Sequence, residues 1–267
     1  MFPSEPADHR SWPVCASVAP HIEAVAAHTE RYPDLAVTRG RLLAQLGIYL
    51  IESAQLRAAL SVLERALAIQ EAIYGPDHPE VAVILAILGV AQRELGELPD
   101  ARTTLQRALA IEEAVYGPNH SEVAIILTNL GNVQQQLGEL PAARTAKERA
   151  VAIQEAVYGP DHSEVAIALT NLGILQIELG ELPDARTTLE RALAIKEASY
   201  GPNHPEVAVT LTNLGIVQRE LGELPDARTT LQRALAIKEA AYGPDHPEVA
   251  IALTNLGIVQ QHMDDQK

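Results

Sequence analysis

Apolar residues in this chain return at helical spacing, and the whole pattern then returns every 42 residues. In one copy Val81, Leu85, Leu88 and Leu95 form an i, i+4, i+7 stripe, the mark of an amphipathic helix with one buried face. Ahead of it, Asp77-His78-Pro79-Glu80 reads as a capping box, with Asp77 accepting from the first-turn amides and Glu80 reaching back. Gly96 stops the helix. A second stripe starts at Pro99, where a missing N–H costs nothing, and runs through Ala101, Leu105, Ala108, Leu109 and Val115 to Tyr116 before Gly117. Each helix is predicted at about 18 residues, or roughly 27 Å, and the short turn between them makes the pair antiparallel.

The period is carried by two markers. Tyr-Gly-Pro begins at Tyr74, Tyr116, Tyr158, Tyr200 and Tyr242, and Leu-Gly places Gly89, Gly131, Gly173, Gly215 and Gly257 in step, with Gly47 extending the series toward the N-terminus. Units are expected to begin near Asp34, Asp77, Asn119, Asp161 and Asn203, followed by a single closing helix from Asp245. The predicted organisation is an irregular segment 1–17, a packing helix within 18–33 (about Val18 to Arg31), an array over 34–262 and a tail at 263–267. The fold class is all-α, a solenoid of antiparallel helix pairs.

Composition agrees with packed helices. Aromatic residues are 3% of the chain, so Leu, Ile, Val and Ala must fill the core. One cysteine, Cys15, permits no intramolecular disulfide and no CxxC pair, which fits a reducing, cytoplasmic setting. No run approaches the ~20 apolar residues of a membrane span. A net charge of −15 repels phosphate backbones, so nucleic acid and membrane are both excluded as expected partners, and protein or peptide is left. The acidic surface suits a basic peptide, and it also serves solubility.

The small residues Gly89, Ala101 and Ala108 stand at offsets 0, 12 and 19 and recur in later units. This pattern resembles the tetratricopeptide repeat (TPR), although Leu85 and Gln92 stand where that family has aromatic residues and the usual unit is 34 residues long. The longer unit, with Tyr-Gly-Pro-Asp-His-Pro-Glu-Val-Ala, resembles the repeats of kinesin light chains and of bacterial signalling ATPases of the STAND (NB-ARC) type. Asp8-His9-Arg10-Ser11-Trp12-Pro13-Val14-Cys15 and Pro20-His21-Ile22 are similar to the segment joining the ATPase part of such proteins to their repeats. No Gly-x-x-x-x-Gly-Lys-Ser/Thr loop occurs in the sequence. The resemblance implies a right-handed superhelical solenoid and a protein-binding scaffold or sensor of a bacterial signalling system, with no catalysis and no cofactor.

The resemblance also implies that the first helix of each unit lines the concave side, with the inner positions at fixed offsets from the Leu-Gly glycine. Two before it stand Gln45, Ile87, Asn129, Asn171, Asn213 and Asn255. Similar repeats in a sugar-transferring nuclear enzyme and in kinesin light chains carry such an Asn ladder, whose amides grip a peptide main chain. Asn in this row is also able to bridge neighbouring helices structurally. Beside it run Val83, Ile125, Ile167, Val209 and Ile251, either an exposed apolar stripe or core, and Thr128, Thr170, Thr212 and Thr254. Asn132 lies one after its glycine, and Arg93, Gln135 and Arg219 lie four after. These last positions vary between otherwise copied units, which fits ligand tuning and equally surface drift.

Three further features complete the expectations. Lys147 stands where other units have Leu105, Leu189 and Leu231, and must carry its amine out to solvent or weaken the packing. His78, His120, His162, His204 and His246 fall one per unit at a helix start, too far apart to share a metal ion, and read as loop or capping residues. The array closes on a single helix ending near Gln260-Gln261-His262, whose last face lacks a partner, so self-association through that helix is the rival to peptide binding.

Overall fold

The computed structural model describes residues 12–265, and the described residues fold into twelve α-helices. They are α1 (Trp12–His28), α2 (Ala36–Glu52), α3 (Leu56–Tyr74), α4 (Pro79–Leu95), α5 (Leu98–Tyr116), α6 (Ser121–Gln136), α7 (Leu140–Tyr158), α8 (Ser163–Glu178), α9 (Leu182–Tyr200), α10 (Pro205–Glu220), α11 (Leu224–Tyr242) and α12 (Pro247–Asp265). Even-numbered helices are the first of each unit (A helices). Odd-numbered ones from α3 onward are the second (B helices), and α1 occupies the B register ahead of the first unit.

Two boundaries differ from expectation. Helix α1 begins at Trp12, so residues 12–17 are helical rather than irregular, while residues 1–11 lie outside the described part. Pro13 at its start needs no hydrogen-bonded N–H. Cys15, Ile22 and Ala26 then bury against Leu43 and Leu46 of α2, which holds the helix together in spite of Pro20 in its middle. At the other end α12 continues through the expected tail to Asp265, with Met263 packed against the cluster of Leu224, Ala227, Leu231 and Val259.

The chain divides into two compact units, residues 1–139 and 140–267. The first holds the pairs α2/α3 and α4/α5, flanked by α1 and α6. The second holds α7, the pairs α8/α9 and α10/α11, and α12. Within each pair the closest approach is glycine against leucine. A Cβ placed on Gly89 would lie 2.6 Å from Leu105 Cγ, on Gly173 2.7 Å from Leu189 Cγ, and on Gly215 2.6 Å from Leu231 Cγ. The alanines recognised in the sequence, Ala101 and Ala108, are fully buried on the opposing helix. A leucine so enclosed removes its whole side chain from water, worth about 2–3 kcal/mol.

The connections explain the Tyr-Gly-Pro-x-His sequence. Each A helix from α4 onward has the histidine, and not the preceding Asp or Asn, at its N-terminus. The Nδ1 atoms of His78, His162, His204 and His246 each accept from the glutamate N–H two residues on at 3.2 Å, and His120 does so at 3.4 Å. This geometry requires the ring proton on Nε2. Each imidazole also stacks on the tyrosine that ends the preceding B helix, with centroids 4.5 to 4.9 Å apart. At the far end of α4, Gly96 takes the left-handed conformation (φ 85°) that releases the chain toward Pro99.

Lys147 of α7 does not reach solvent: it is 2% exposed, and Nζ donates to the Asn171 carbonyl of α8 at 3.1 Å. Taking an ammonium out of water carries a desolvation cost that its hydrogen bonds must make up. Lys147→Leu, which restores the residue of the other units, is expected to stabilise the protein by about 1–3 kcal/mol. A thermal melt of the variant reads this directly. An unchanged midpoint would mean that the amine's hydrogen bonds fully offset its desolvation.

Candidate peptide-binding face

The A helices lie side by side within each unit: α2, α4 and α6 in the first, α8, α10 and α12 in the second. Each is buried on the sides that meet its neighbours, and the remaining side faces out. On that side the aliphatic row is exposed. Ile167, Val209 and Ile251 are 37%, 38% and 50% accessible in the second unit, and Val83 and Ile125 are similarly exposed in the first. The sequence left this row open between surface and core, and burial assigns it to the surface.

One helical turn on, Asn171 and Asn213 are half-buried, and each Nδ2 donates to its own helix, to the Ile167 carbonyl at 3.1 Å and the Val209 carbonyl at 3.0 Å. The i, i+4 bond holds each amide beside its aliphatic neighbour and leaves Oδ1 as an acceptor. Asn129 and Asn255 are half-buried at the corresponding places.

The threonines are placed differently. Thr170 and Thr212 are buried, their hydroxyls donating to Ala166 and Ala208 carbonyls at 2.7 and 2.8 Å, and Thr170 Oγ1 lies 3.4 Å from Thr210 Oγ1 across the α8/α10 contact. Burial removes both from a surface a ligand could touch. Thr128 is half-buried with the same bond, to Ala124 at 2.9 Å, and Thr254 is exposed.

Asn132 and Gln135 are half-buried on α6. Arg93 and Arg219 are mostly buried, paired with Glu94 and, at 2.5 Å, with Glu220, and the Nε of each has no hydrogen-bond partner. Their charges are therefore locally compensated on the face itself.

A second set of polar residues was missed by sequence reasoning. Gln70, Glu112, Gln154, Lys196 and Lys238 occupy one register near the end of each B helix, and all are buried. Lys196 and Lys238 pair with the first-turn glutamates of the next A helix, Glu206 at 3.1 Å and Glu248 at 2.8 Å. Glu112 has no such complement. Burial pushes its carboxyl above the ordinary range, Glu122 adds to the rise, and His120 opposes it. A signal was available: position 112 lies i+4 from Ala108 and i+7 from Leu105, on the buried stripe itself.

None of the described helices is long and apolar enough to cross a membrane. Comparison with curated proteins finds no match. Among solved structures, the fold resembles BtubC (BKLC) from P. vanneervenii, at 23% identity and TM-score 0.71, covering 87% of this chain and 92% of that one. It also resembles a putative kinesin light chain with nearly identical TPR-like repeats from Podospora anserina, at 22% identity and TM-score 0.64, covering 76% and 97%. The apo form of RapI is similar at 18% identity and TM-score 0.65, covering 76% of this chain and 71% of that one. The tetratricopeptide repeat profile matches residues 38–114, 88–156, 122–198, 177–240 and 221–267 in overlapping stretches. With its paired helices, glycine–leucine contacts and the profile running through nearly the whole array, the chain belongs to the tetratricopeptide repeat family.

Proposed function

We propose that the outward side of the A helices binds an extended or helical peptide of a partner protein, and that the chain is a scaffold or sensor and not an enzyme. The observation that carries this reading is the row Ile167, Val209 and Ile251, aliphatic and exposed on adjacent helices, with Asn171, Asn213 and Asn255 beside it. Apolar side chains repeated on one solvated face are the anchor sites a peptide's own apolar side chains fill. The amide oxygens accept main-chain N–H groups, giving grip that does not depend on the peptide's sequence. The resemblance of the 42-residue unit to STAND-type repeats supports a role in bacterial signalling, in the cytoplasm.

Val209→Asp tests the reading at an exposed site, with circular dichroism to establish that the variant is folded. In a pulldown from cell extract, partners retained by the wild-type chain are expected to be lost with Val209→Asp and reduced several-fold with Asn171→Ala/Asn213→Ala, in line with truncation of a main-chain anchor. Partners retained undiminished by both variants would refute the binding face. Self-assembly through α12 is a second reading, favoured by the exposure of Leu253, and a mass that rises with concentration in light scattering separates it from the first.

A further inference from the structure

Two A helices of the second unit, α8 and α10, carry on their outward side a stripe that runs from apolar to acidic. On α8, Ile167, Asn171, Ile174 and Glu178 stand at i, i+4, i+7 and i+11, which places them on one side of the helix. Val209, Asn213, Ile216 and Glu220 repeat the stripe on α10, and α12 has His262 in the place of the glutamate. Glu178 is exposed, and the Glu220 side chain is 47% accessible.

Both glutamates are the last residues of their helices, and α2 in the first unit ends the same way, on Glu52. A helix C-terminus carries negative potential and favours Lys or Arg, so a carboxylate there works against the helix that bears it. Nor is the charge balanced along the face. In α8, α10 and α12 the one Lys or Arg is Arg219, whose side chain is 14% accessible and paired with Glu220. Lys196 and Lys238, which enter from the B helices, are buried against Glu206 and Glu248 at the opposite ends of α10 and α12. The solvated charge beside the aliphatic row is negative.

We infer that the peptide bound on this face is basic: an extended segment with an apolar residue at about every third position and a Lys or Arg next to it. The inference rests on the peptide-binding reading above and names the partner's chemistry. Packed helices lie roughly 8–10 Å apart, and one turn of polyproline II takes about three residues and advances about 9 Å, so each turn of the segment meets one A helix. Its apolar side chain lies on the row of Ile167 and Val209, its main-chain N–H reaches an asparagine Oδ1, and its cation meets Glu178 or Glu220. An acidic segment would set like charges side by side, which selects against it.

The test titrates the full chain into two fluorescein-labelled peptides of about twelve residues, followed by anisotropy: one of repeating Leu-Lys-Ser triplets, the other of repeating Leu-Glu-Ser. The basic peptide is expected to bind saturably and at least roughly tenfold more tightly than the acidic one. Glu178→Gln/Glu220→Gln should weaken it about fivefold, as two exposed pairs would. Asp161→Asn/Asp245→Asn removes the same charge from exposed positions ahead of α8 and α12, where other units already have Asn119 and Asn203, and should leave binding unchanged. Circular dichroism establishes that each variant is folded. Equal weakening by the two double variants would assign the effect to net charge and overturn the inference. Tighter binding of the acidic peptide, lost with Asn171→Ala/Asn213→Ala, would overturn it while leaving the peptide face in place. Binding of neither peptide would also overturn it, and the pulldown with Val209→Asp then decides the reading of the face separately.

Discussion

Gly215→Val is expected to destabilise the protein by about 3 kcal/mol, as overpacking of a closed core does. The added Cβ would sit 2.6 Å from Leu231 Cγ, the branch point of that side chain, and 2.8 Å from its methyl Cδ2. Leu231 is 1% exposed and has nowhere to retreat, so α10 and α11 must separate. Gly257→Ala is the matched control, in the same register of α12 with open space at the Cβ position. Its effect should be nil or a gain of about 0.5–1 kcal/mol, the ordinary benefit of replacing glycine inside a helix. Urea denaturation of the two variants reads both outcomes. Equal destabilisation would show that the helix itself requires glycine and that the facing leucine is not the cause.

The contrast between Gly215 and Gly257 also marks what the sequence could and could not reveal. Both stand in identical Leu-Gly-Ile-Val-Gln contexts, and periodicity alone identified both as positions of close approach. Only the arrangement of helices shows one filled and the other empty, because the difference lies in a neighbour and not in the residue. Helix number, type and order were legible, since stripe, cap and stop signals agreed in every copy. The N-cap was misplaced by one residue. Asp is the better cap by propensity, but stacking on the tyrosine four residues earlier fixes the imidazole where its Nδ1 meets the first-turn amide.

The candidate face was legible in part for a related reason. Spacing places Thr170, Asn171 and Ile167 within one turn of a helix, yet they end in three different settings: buried, half-buried and exposed. A rotation of 100° per residue is enough to carry a side chain from the inter-helix contact to the surface. Sequence periodicity locates the face to within about one residue, and the packing angle of neighbouring A helices decides which side of that residue is wet. The buried polar register was lost differently. Gln70, Glu112, Gln154, Lys196 and Lys238 are polar residues that the search for apolar stripes does not single out, though their spacing puts them inside.

At neutral pH, Glu112→Gln is expected to stabilise the protein by about 1–3 kcal/mol, the cost of a buried polar group without a partner. Glutamine already occupies this register at Gln70 and Gln154, so the substitution fits the space. In the wild type, Glu112 is 2% exposed, its Oε2 has no hydrogen-bond partner, and Glu122 at the start of α6 is the charge that faces it, with His120 the opposing influence. The folded carboxyl is thus raised above its unfolded value, first by burial and then by Glu122. A raised group contributes its stability with the proton on: the contribution is complete below the unfolded value, near pH 4, and is lost as pH rises through the folded one. The difference in unfolding free energy between Glu112→Gln and wild type should therefore be near zero in acid and grow toward neutrality. Glu112→Lys should also stabilise at neutral pH, by recreating opposite Glu122 the pair that Lys196 makes with Glu206. That gain rests on the new pair, so adding Glu122→Gln to the Lys variant should abolish it and leave an uncompensated ammonium buried. Denaturation series from pH 4 to pH 8 on the three proteins distinguish these courses. A Gln variant whose advantage is constant across that range would show that shape, and not the carboxylate charge, sets the cost of Glu112.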